Sequence, residues 1–416
     1  MKPLFILLFL AFSFPLTGAD KDAAKQNYWP GWLGPKRDGW VKDFQPPKEW
    51  PTKLKKVWQL KVGEGYGTPL VVGDHVYQHA RQGAEEVVWA VNLKTGKRVW
   101  RSSYNAPFET GGGGEKHGKG PKSNPTYADG RIFVMSITGT LSAWNAKDGK
   151  FLWRKNYNSR FKPSYPKWGM CNSPVVDVNR VIAHFGNVEK GVLVALDVKT
   201  GKEIWAQGED GPCYSSPLLV EHEGIRQVIE WNHRALVGVE SKTGKLLWEF
   251  PFPHIGTNQN MPTPSFDNGR ILVGAENRGL HGIEPKLENG KWSVKVYWSH
   301  RKVALNMSSA VVNDGRLYGL SHLKRGRLFC ADSHTGEVLW EGPERAGENA
   351  TFLAFPGHVM ILASHGELQV IAAKAEGHEK VASWKVSDEP AWAAPVLLKK
   401  GVLIKDQQHL TYWSFN

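Results

Sequence analysis

Asn124-Pro125-Thr126-Tyr127-Ala128, Asp129-Gly130-Arg131-Ile132-Phe133-Val134, Gly139-Thr140-Leu141-Ser142-Ala143-Trp144 and Asp148-Gly149-Lys150-Phe151-Leu152-Trp153 follow one another along a single line of the chain. Short runs of β-prone residues alternate there with glycine-bearing turns, the pattern of strands joined by tight hairpins. Glycine supplies the positive φ such turns need without a Cβ clash. The same line returns along the chain. Its opening residue recurs as Pro69, Pro125, Pro174, Pro217, Pro264, Ala310, Ala354 and Pro395, 41 to 56 residues apart. Its closing indole recurs as Trp58, Trp100, Trp153, Trp205, Trp248, Trp298, Trp340 and Trp384. The turn before the last strand reads Lys94-Thr95-Gly96-Lys97, Lys199-Thr200-Gly201-Lys202, Lys242-Thr243-Gly244-Lys245 and His334-Thr335-Gly336-Glu337. Four short strands in a unit of this length make a propeller blade.

The ends of the chain are complementary. The last unit, Ala391 to Phe415, stops short of a Trp-bearing strand, and Lys55-Lys56-Val57-Trp58-Gln59-Leu60 supplies one. Lending the first strand to the last sheet removes an exposed edge. The sequence thus predicts an all-β, eight-bladed propeller with four-stranded antiparallel blades over residues 55–416, behind an N-terminal extension at 20–54. The recurring indoles account for much of the 19 Trp. Each is expected to lie over the neighbouring blade and bury about 200 Å².

Residues 1–19 read as an export signal. Lys2 is the positive start, Leu4 to Phe14 the apolar run, and Pro15-Leu16-Thr17-Gly18-Ala19 a small-residue cleavage region ending near Ala19. The apolar run is too short for a transmembrane anchor, which needs about 20 residues. A periplasmic or extracellular monomer is expected. Three cysteines, Cys171, Cys213 and Cys330, make no disulfide framework, although Cys171 and Cys213 precede corresponding strands and are candidates to pair. Lys and Arg (53) exceed Asp and Glu (40), a net charge of +13. The excess favours anionic partners. No basic block or stacking module accompanies it, which disfavours nucleic acid.

The repeated Thr-Gly-Lys…Trp pattern resembles the PQQ-like, quinoprotein-type propeller repeat family over roughly residues 55 to 415. In that family a turn glycine and the following Trp form a tryptophan-docking motif. The family includes quinoprotein alcohol dehydrogenases and cofactor-free members, among them the scaffold protein of the outer-membrane β-barrel assembly machinery. The segment Trp29-Pro30-Gly31-Trp32-Leu33-Gly34-Pro35-Lys36-Arg37-Asp38-Gly39 is similar to an N-terminal motif of exported PQQ-like propellers and is expected to pack its aromatics against the propeller wall. The dehydrogenases carry adjacent cysteines and an ordered carboxylate and amide set for Ca²⁺. This sequence has neither adjacent cysteines nor an evident acidic cluster, so no cofactor is expected, with PQQ and calcium as the weaker alternative.

Extra loop length gathers before the second blade (Trp100 to Pro125) and the third (Trp153 to Pro174), as it does on the binding face of many repeat proteins. The first of these loops, Gly111-Gly112-Gly113-Gly114-Glu115-Lys116-His117-Gly118-Lys119-Gly120-Pro121-Lys122, is flexible and cationic, able to grip an anion but unlike a P-loop. The second carries Phe161, Tyr165 and Trp168. Around the channel mouth the reading places Tyr66, Asn124, Trp168, Asn172, Tyr214, Asn260, Asn306 and Trp392, amides and aromatics suited to a ligand. No metal-type His spacing or nucleophile elbow is present. The leading expectation is a non-catalytic scaffold or ligand-binding propeller with an envelope protein partner. The alternatives are a quinone-dependent dehydrogenase and a carbohydrate-binding propeller.

Overall fold

Each unit of the repeat closes its own sheet. In the computed structural model, which describes residues 27–256 and 260–416, the strands form eight sheets. They lie at 70–105 (blade 1), 126–155 (blade 2), 175–207 (blade 3), 218–251 (blade 4), 265–300 (blade 5), 311–344 (blade 6) and 350–385 (blade 7). Blade 8 combines 396–414 with Lys55–Lys61, which pairs antiparallel to His409–Ser414. The ring therefore closes where the sequence places its closure. The export-signal reading falls on residues outside those described.

The first strand of most blades has three residues, for instance Thr126–Ala128 and Val175–Asp177, and these strands neighbour one another around the axis. The second and third strands are almost wholly buried, while the outer strand alternates. In seven blades the outer strand skips one residue of register immediately before its Trp: Val57, Val99, Leu152, Ile204, Leu247, Tyr297 and Leu339 are passed over. Such a bulge bends the strand and re-aims the following side chain. The indole turns inward and becomes buried, and the skipped residue is left in solvent, as Val99 and Ile204 are.

Most indole N–H groups donate across a blade boundary. Trp58 bonds the Leu93 carbonyl (2.8 Å), Trp100 that of Ala146 (3.1 Å), Trp153 that of Val198 (3.1 Å) and Trp205 that of Ser241 (3.0 Å). Trp298 and Trp340 do the same to Ser333 and Lys374. Trp384 instead reaches Pro51, and Trp248 turns back to Gln227 of its own blade. The blade 5 hairpin explains the last case. Its last two strands run ten residues each (Gly279–Glu288, Lys291–His300), so no Thr-Gly-Lys turn lies beside Trp248. At five other junctions a turn glycine sits against the indole: a Cβ on Gly149 would lie 2.5 Å from Trp100. Buried polar bonds also cross between blades. Glu86 accepts from Tyr104 and from the Ile137 amide of blade 2 and contacts His79; burial pushes its carboxyl up, but those bonds outweigh it and hold it below the usual range.

The Trp29–Gly39 segment does pack against the propeller wall, but on the inside, along the central channel. Tyr28 and Trp29 pair with Val72 and Val71, adding a fifth strand to blade 1 on its axial edge. The Pro30 carbonyl accepts the Tyr127 amide of blade 2 (2.7 Å). The Arg37 guanidinium, 6% exposed, donates to the carbonyls of Ser173 (3.2 Å), Pro174 (3.0 Å) and Pro217 (3.1 Å), the inner ends of blades 3 and 4. Trp32 Nε1 bonds Thr263 before blade 5, and Gly39 lies against Val311 of blade 6. Trp40 bridges Ala354 of blade 7, and Phe44 meets Phe355 and Phe415. One short segment thus touches every blade. Residues 28–44 of the N-terminal extension belong to the ring as its axial plug.

Candidate functional site

With the axis plugged, the loop face ends in a cup of about 450 Å³. Its floor is Trp32 and Leu33 of the plug with Phe352 of blade 7; its walls come from the loops entering the inner strands. Six of the eight residues expected at the channel mouth line it: Tyr66, Asn124, Trp168, Tyr214, Asn306 and Trp392. Asn172 and Asn260 do not. Asn172 is fully buried and bonds the His184 carbonyl, and Asn260 bonds the Asn232 carbonyl (2.7 Å) and accepts from Arg278 (2.6 Å). Both amides brace strand entrances, Asn260 through both of its polar atoms and Asn172 through its Nδ2, the ordinary use of Asn at such positions. Asn124 lines the cup with its amide already committed to the Thr68 amide and Ser173 hydroxyl. Of the second long loop's aromatics, Phe161 is buried between blades 2 and 3 and Tyr165 packs on Phe108, so only Trp168 reaches the cup.

The aromatic walls are ordered. Trp168 stacks on Tyr214 with ring centroids 5.5 Å apart and planes 23° apart, and its backbone N–H donates to the Tyr214 hydroxyl (3.1 Å). Across the cup Trp392 faces Tyr66 at 6.1 Å. The Tyr66 hydroxyl and Thr351 Oγ1 are buried without a hydrogen-bond partner, and both residues line the cup. Such groups are costly to leave unpaired, so they mark where a guest's polar atoms would be welcome.

The charged lining is uneven. Lys116, His117 and Lys122 stand on the blade 1–2 side and Glu276 is the one carboxylate among the lining residues. Lys122 donates to the Trp168 carbonyl (2.9 Å) and pairs with no carboxylate among the described residues. Burial lowers its ammonium below the ordinary lysine value, partly opposed by Cys171. Burial likewise pushes the Cys171 thiol up to about 11 and the Tyr66 phenol up to about 12. A thiol so placed is protonated at neutral pH and is no nucleophile. Cys171 and Cys213 form no disulfide.

The donor set falls short of a calcium-held quinone. A hard cation takes six to eight oxygens, several of them carboxylate, and Glu276 alone offers one here. Outside the cup, Glu389, Asp406 and His409 bring ligand atoms within 4.8 Å of one another. Their oxygens already accept from Ser387 and from the Gln408 and His409 amides.

The floor was not legible beforehand. Trp32 lies outside the repeat, and no periodicity relates it to the blade entrances. The loop before blade 2 was legible as a flexible, cationic surface loop, though its place among the cup's lining was not.

A plugged eight-sheet ring with bulge-aimed, cross-blade indoles defines a β-propeller of the quinoprotein-like repeat class. Residues 52–111 and 84–342 match the family described as outer membrane protein assembly factor BamB, and the chain belongs to that family. Against the assembly factor BamB of Yersinia pestis it is 22% identical over 376 residues, covering 86% of this chain and 88% of that protein. Against quinohemoprotein alcohol dehydrogenase ADH IIB of Pseudomonas putida it is 32% identical over 145 residues, only 32% of this chain and 20% of the enzyme. Among solved structures, BamB from Moraxella catarrhalis superposes with a TM-score of 0.63 at 14% identity, covering 87% of this chain and 98% of that one. Quinohemoprotein alcohol dehydrogenase from Comamonas testosteroni superposes at 0.70 and 15%, covering 96% and 82%. These structural likenesses establish the fold. Among the described residues no helix is long and apolar enough to cross a membrane.

Proposed function

We propose that the chain is a non-catalytic binding propeller of the cell envelope, of the assembly-scaffold kind, and that its loop face is the working face. The observation that carries this is the cup. Aromatic walls and unpaired polar atoms are gathered there from distant blades, while the thiol and phenols around it are pushed away from reactivity. Coverage of 88% of the assembly factor's own length, against 20% of ADH IIB and 59% of a polyvinylalcohol dehydrogenase that matches 77% of this chain, supports the same choice. Fold likeness alone would not decide it.

Native mass spectrometry of the protein purified from its own host tests the proposal. A retained companion or ligand, lost in a Trp168→Ala/Trp392→Ala variant that keeps its melting temperature, is the expected result. Retention unaffected by that variant would move the working surface elsewhere.

A quinone-dependent dehydrogenase is the second reading, favoured by the flat aromatic walls and the dehydrogenase likeness. It requires that PQQ with Ca²⁺ raise the melting temperature and produce alcohol-dependent dye reduction. No shift at saturating PQQ rejects it.

A further inference from the structure

Each blade runs its first strand away from the loop face, so the turn joining its third and fourth strands falls on the opposite face. On blades 1 to 4 that turn is rich in lysine: Lys94 and Lys97, Lys147 and Lys150, Lys199 and Lys202, Lys242 and Lys245, all exposed. Gly96, Gly149, Gly201 and Gly244 seat these turns against the Trp of the preceding blade, so the ammonium groups follow one another in an arc along the rim. The same turns of blades 5 to 7 carry Glu288, Glu337, Glu376 and Glu379 against Lys291 and Lys374. The net charge of +13 is therefore unevenly spread, with one half of this face basic.

Most of these cations have no counter-charge. The turns of blades 1 to 4 hold the carboxylates of Asp74, Asp129, Asp148 and Glu223. Lys94 pairs with Asp74 (3.3 Å), Arg131 with Asp129 (3.0 Å) and Lys150 with Asp148 (3.5 Å). Lys97, Lys147, Lys199, Lys202, Lys242 and Lys245 pair with no carboxylate among the described residues.

Apolar side chains are interleaved with them. Each lysine turn leads within two residues to an exposed Val99, Phe151, Ile204 or Leu246. Inside the arc stands Val178, 68% exposed, in the turn between the first and second strands of blade 3. The Asn179 carbonyl accepts the amide of Val198, next to Lys199 (3.0 Å), and Asp177 accepts the hydroxyl of Ser241, next to Lys242. Val178 thus lies between two lysine turns. Its φ is +54°, where a β-branched residue is strained. The matching turns of blades 1, 2, 4, 5 and 6 place Gly73, Asp129, Glu223, Asn268 and Asp314 there instead. A strained valine held out in solvent adds nothing to the core, and strain of this kind gathers where a protein meets something else.

We propose that this half of the turn face docks on the surface of an anionic lipid bilayer, the lysines meeting the headgroup charge and Val178 entering the acyl boundary. Lysines with aliphatic residues among them are the make-up of an interfacial membrane contact. A soluble polyanion would gain from the lysines and nothing from the aliphatic side chains. Docked in this way, the protein turns its loop face and cup away from the membrane, so the inference goes beyond the working-face reading and does not depend on it. Near an anionic surface each lysine contributes about five-fold in affinity, and burying one valine contributes about five-fold or more.

Flotation of the whole protein with vesicles of phosphatidylcholine, alone or mixed in equal parts with phosphatidylglycerol, tests the docking. Binding to the mixed vesicles only, weakening as salt is added, is the expected result. The combined Lys97→Gln/Lys147→Gln/Lys199→Gln/Lys242→Gln variant should bind at least about 100-fold more weakly. Lys61→Gln/Lys190→Gln/Lys302→Gln/Lys324→Gln, on the loop face, should stay within about three-fold, because those charges lie beyond a Debye length from the bilayer. Val178→Asn should lower affinity about five-fold while the melting temperature holds or rises, because Asn tolerates this φ. No binding to mixed vesicles, or equal losses in the two lysine sets, overturns the docking face. Unchanged affinity in Val178→Asn overturns the apolar entry. Heparin bound through the same lysines by a protein that ignores the vesicles would make a soluble polyanion the partner and overturn the bilayer. Companion retention at the Trp168 and Trp392 face is read in a separate assay and stands or falls apart from this one.

Discussion

Arg37→Met separates the plug's charge from its bulk. The thioether keeps most of the aliphatic stem, while the carbonyls of Ser173 and Pro217 lose their donors and that of Pro174 keeps only the Thr126 hydroxyl. A buried acceptor left without a donor costs about 1–3 kcal/mol, so the gross loss is on the order of 2–6 kcal/mol. Part of it is returned, because burial penalises the cation itself: it holds the guanidinium down to about 9, with Glu230 opposing. The expected net loss is about 2–4 kcal/mol. If the loss falls on seating of the plug, the unseated population rises at least about thirty-fold. Lys36, exposed beside Arg37, reports it. Cleavage there by a lysine-specific protease under native conditions should accelerate about thirty-fold or more, with a fall in urea midpoint. A cleavage rate within three-fold of the parent would show that Arg37 does not hold the segment in the channel.

Gly149→Val and Gly130→Val both force a side chain onto a positive φ (+71° and +72°), but only the first meets an indole, that of Trp100 at 2.5 Å, while nothing lies near the second. Urea unfolding should show about 1–2 kcal/mol lost at Gly130 from backbone strain and about 3 kcal/mol or more at Gly149; equal losses would deny the indole contact its role in joining blades. Lys405 is fully buried, donating to the Gly65 and Gln407 carbonyls, and burial lowers its ammonium to about 7. Between that value and the unfolded lysine value the unfolded chain binds the extra proton, so stability should rise with pH from about 7 to 10, by up to about 1.4 kcal/mol per unit; Lys405→Met should flatten the slope in urea titrations at pH 7, 8 and 9. Glu86→Ala strands His79, Tyr104 and the Ile137 amide across the blade 1–2 boundary; a loss of about 3–5 kcal/mol is expected in the same assay, and under 1 kcal/mol would mean the network contributes little.

The ring was readable because its information is local and repeated. A glycine turn, a bulge and an indole recur in each unit, so Trp58 could be assigned to a blade whose other strands lie some 350 residues away in the sequence. Trp248 shows where periodicity misleads: it occupies the right place in the repeat, yet the neighbouring hairpin is lengthened and its bond turns inward. The cup was half readable. Positions near strand entrances follow from the repeat, which brought Tyr66, Tyr214 and Trp392 onto the rim. Whether an Asn there faces the cavity or braces its own loop depends on partners such as Arg278 that no spacing relates to it, and Asn260 went the second way. The plug was invisible in function because a segment used once leaves no repeat by which to place it.

The strand Lys55–Lys61 is made early, yet its partner His409–Ser414 follows some 350 residues later. At about 5–20 residues per second, the first strand waits roughly 20–70 s for its sheet. Native pairing in blade 8 is thus a clasp that shuts only after Ser414 has been made, and any product stopped short of His409 keeps an open seam. The order of synthesis is in this way written into the geometry of the closed ring.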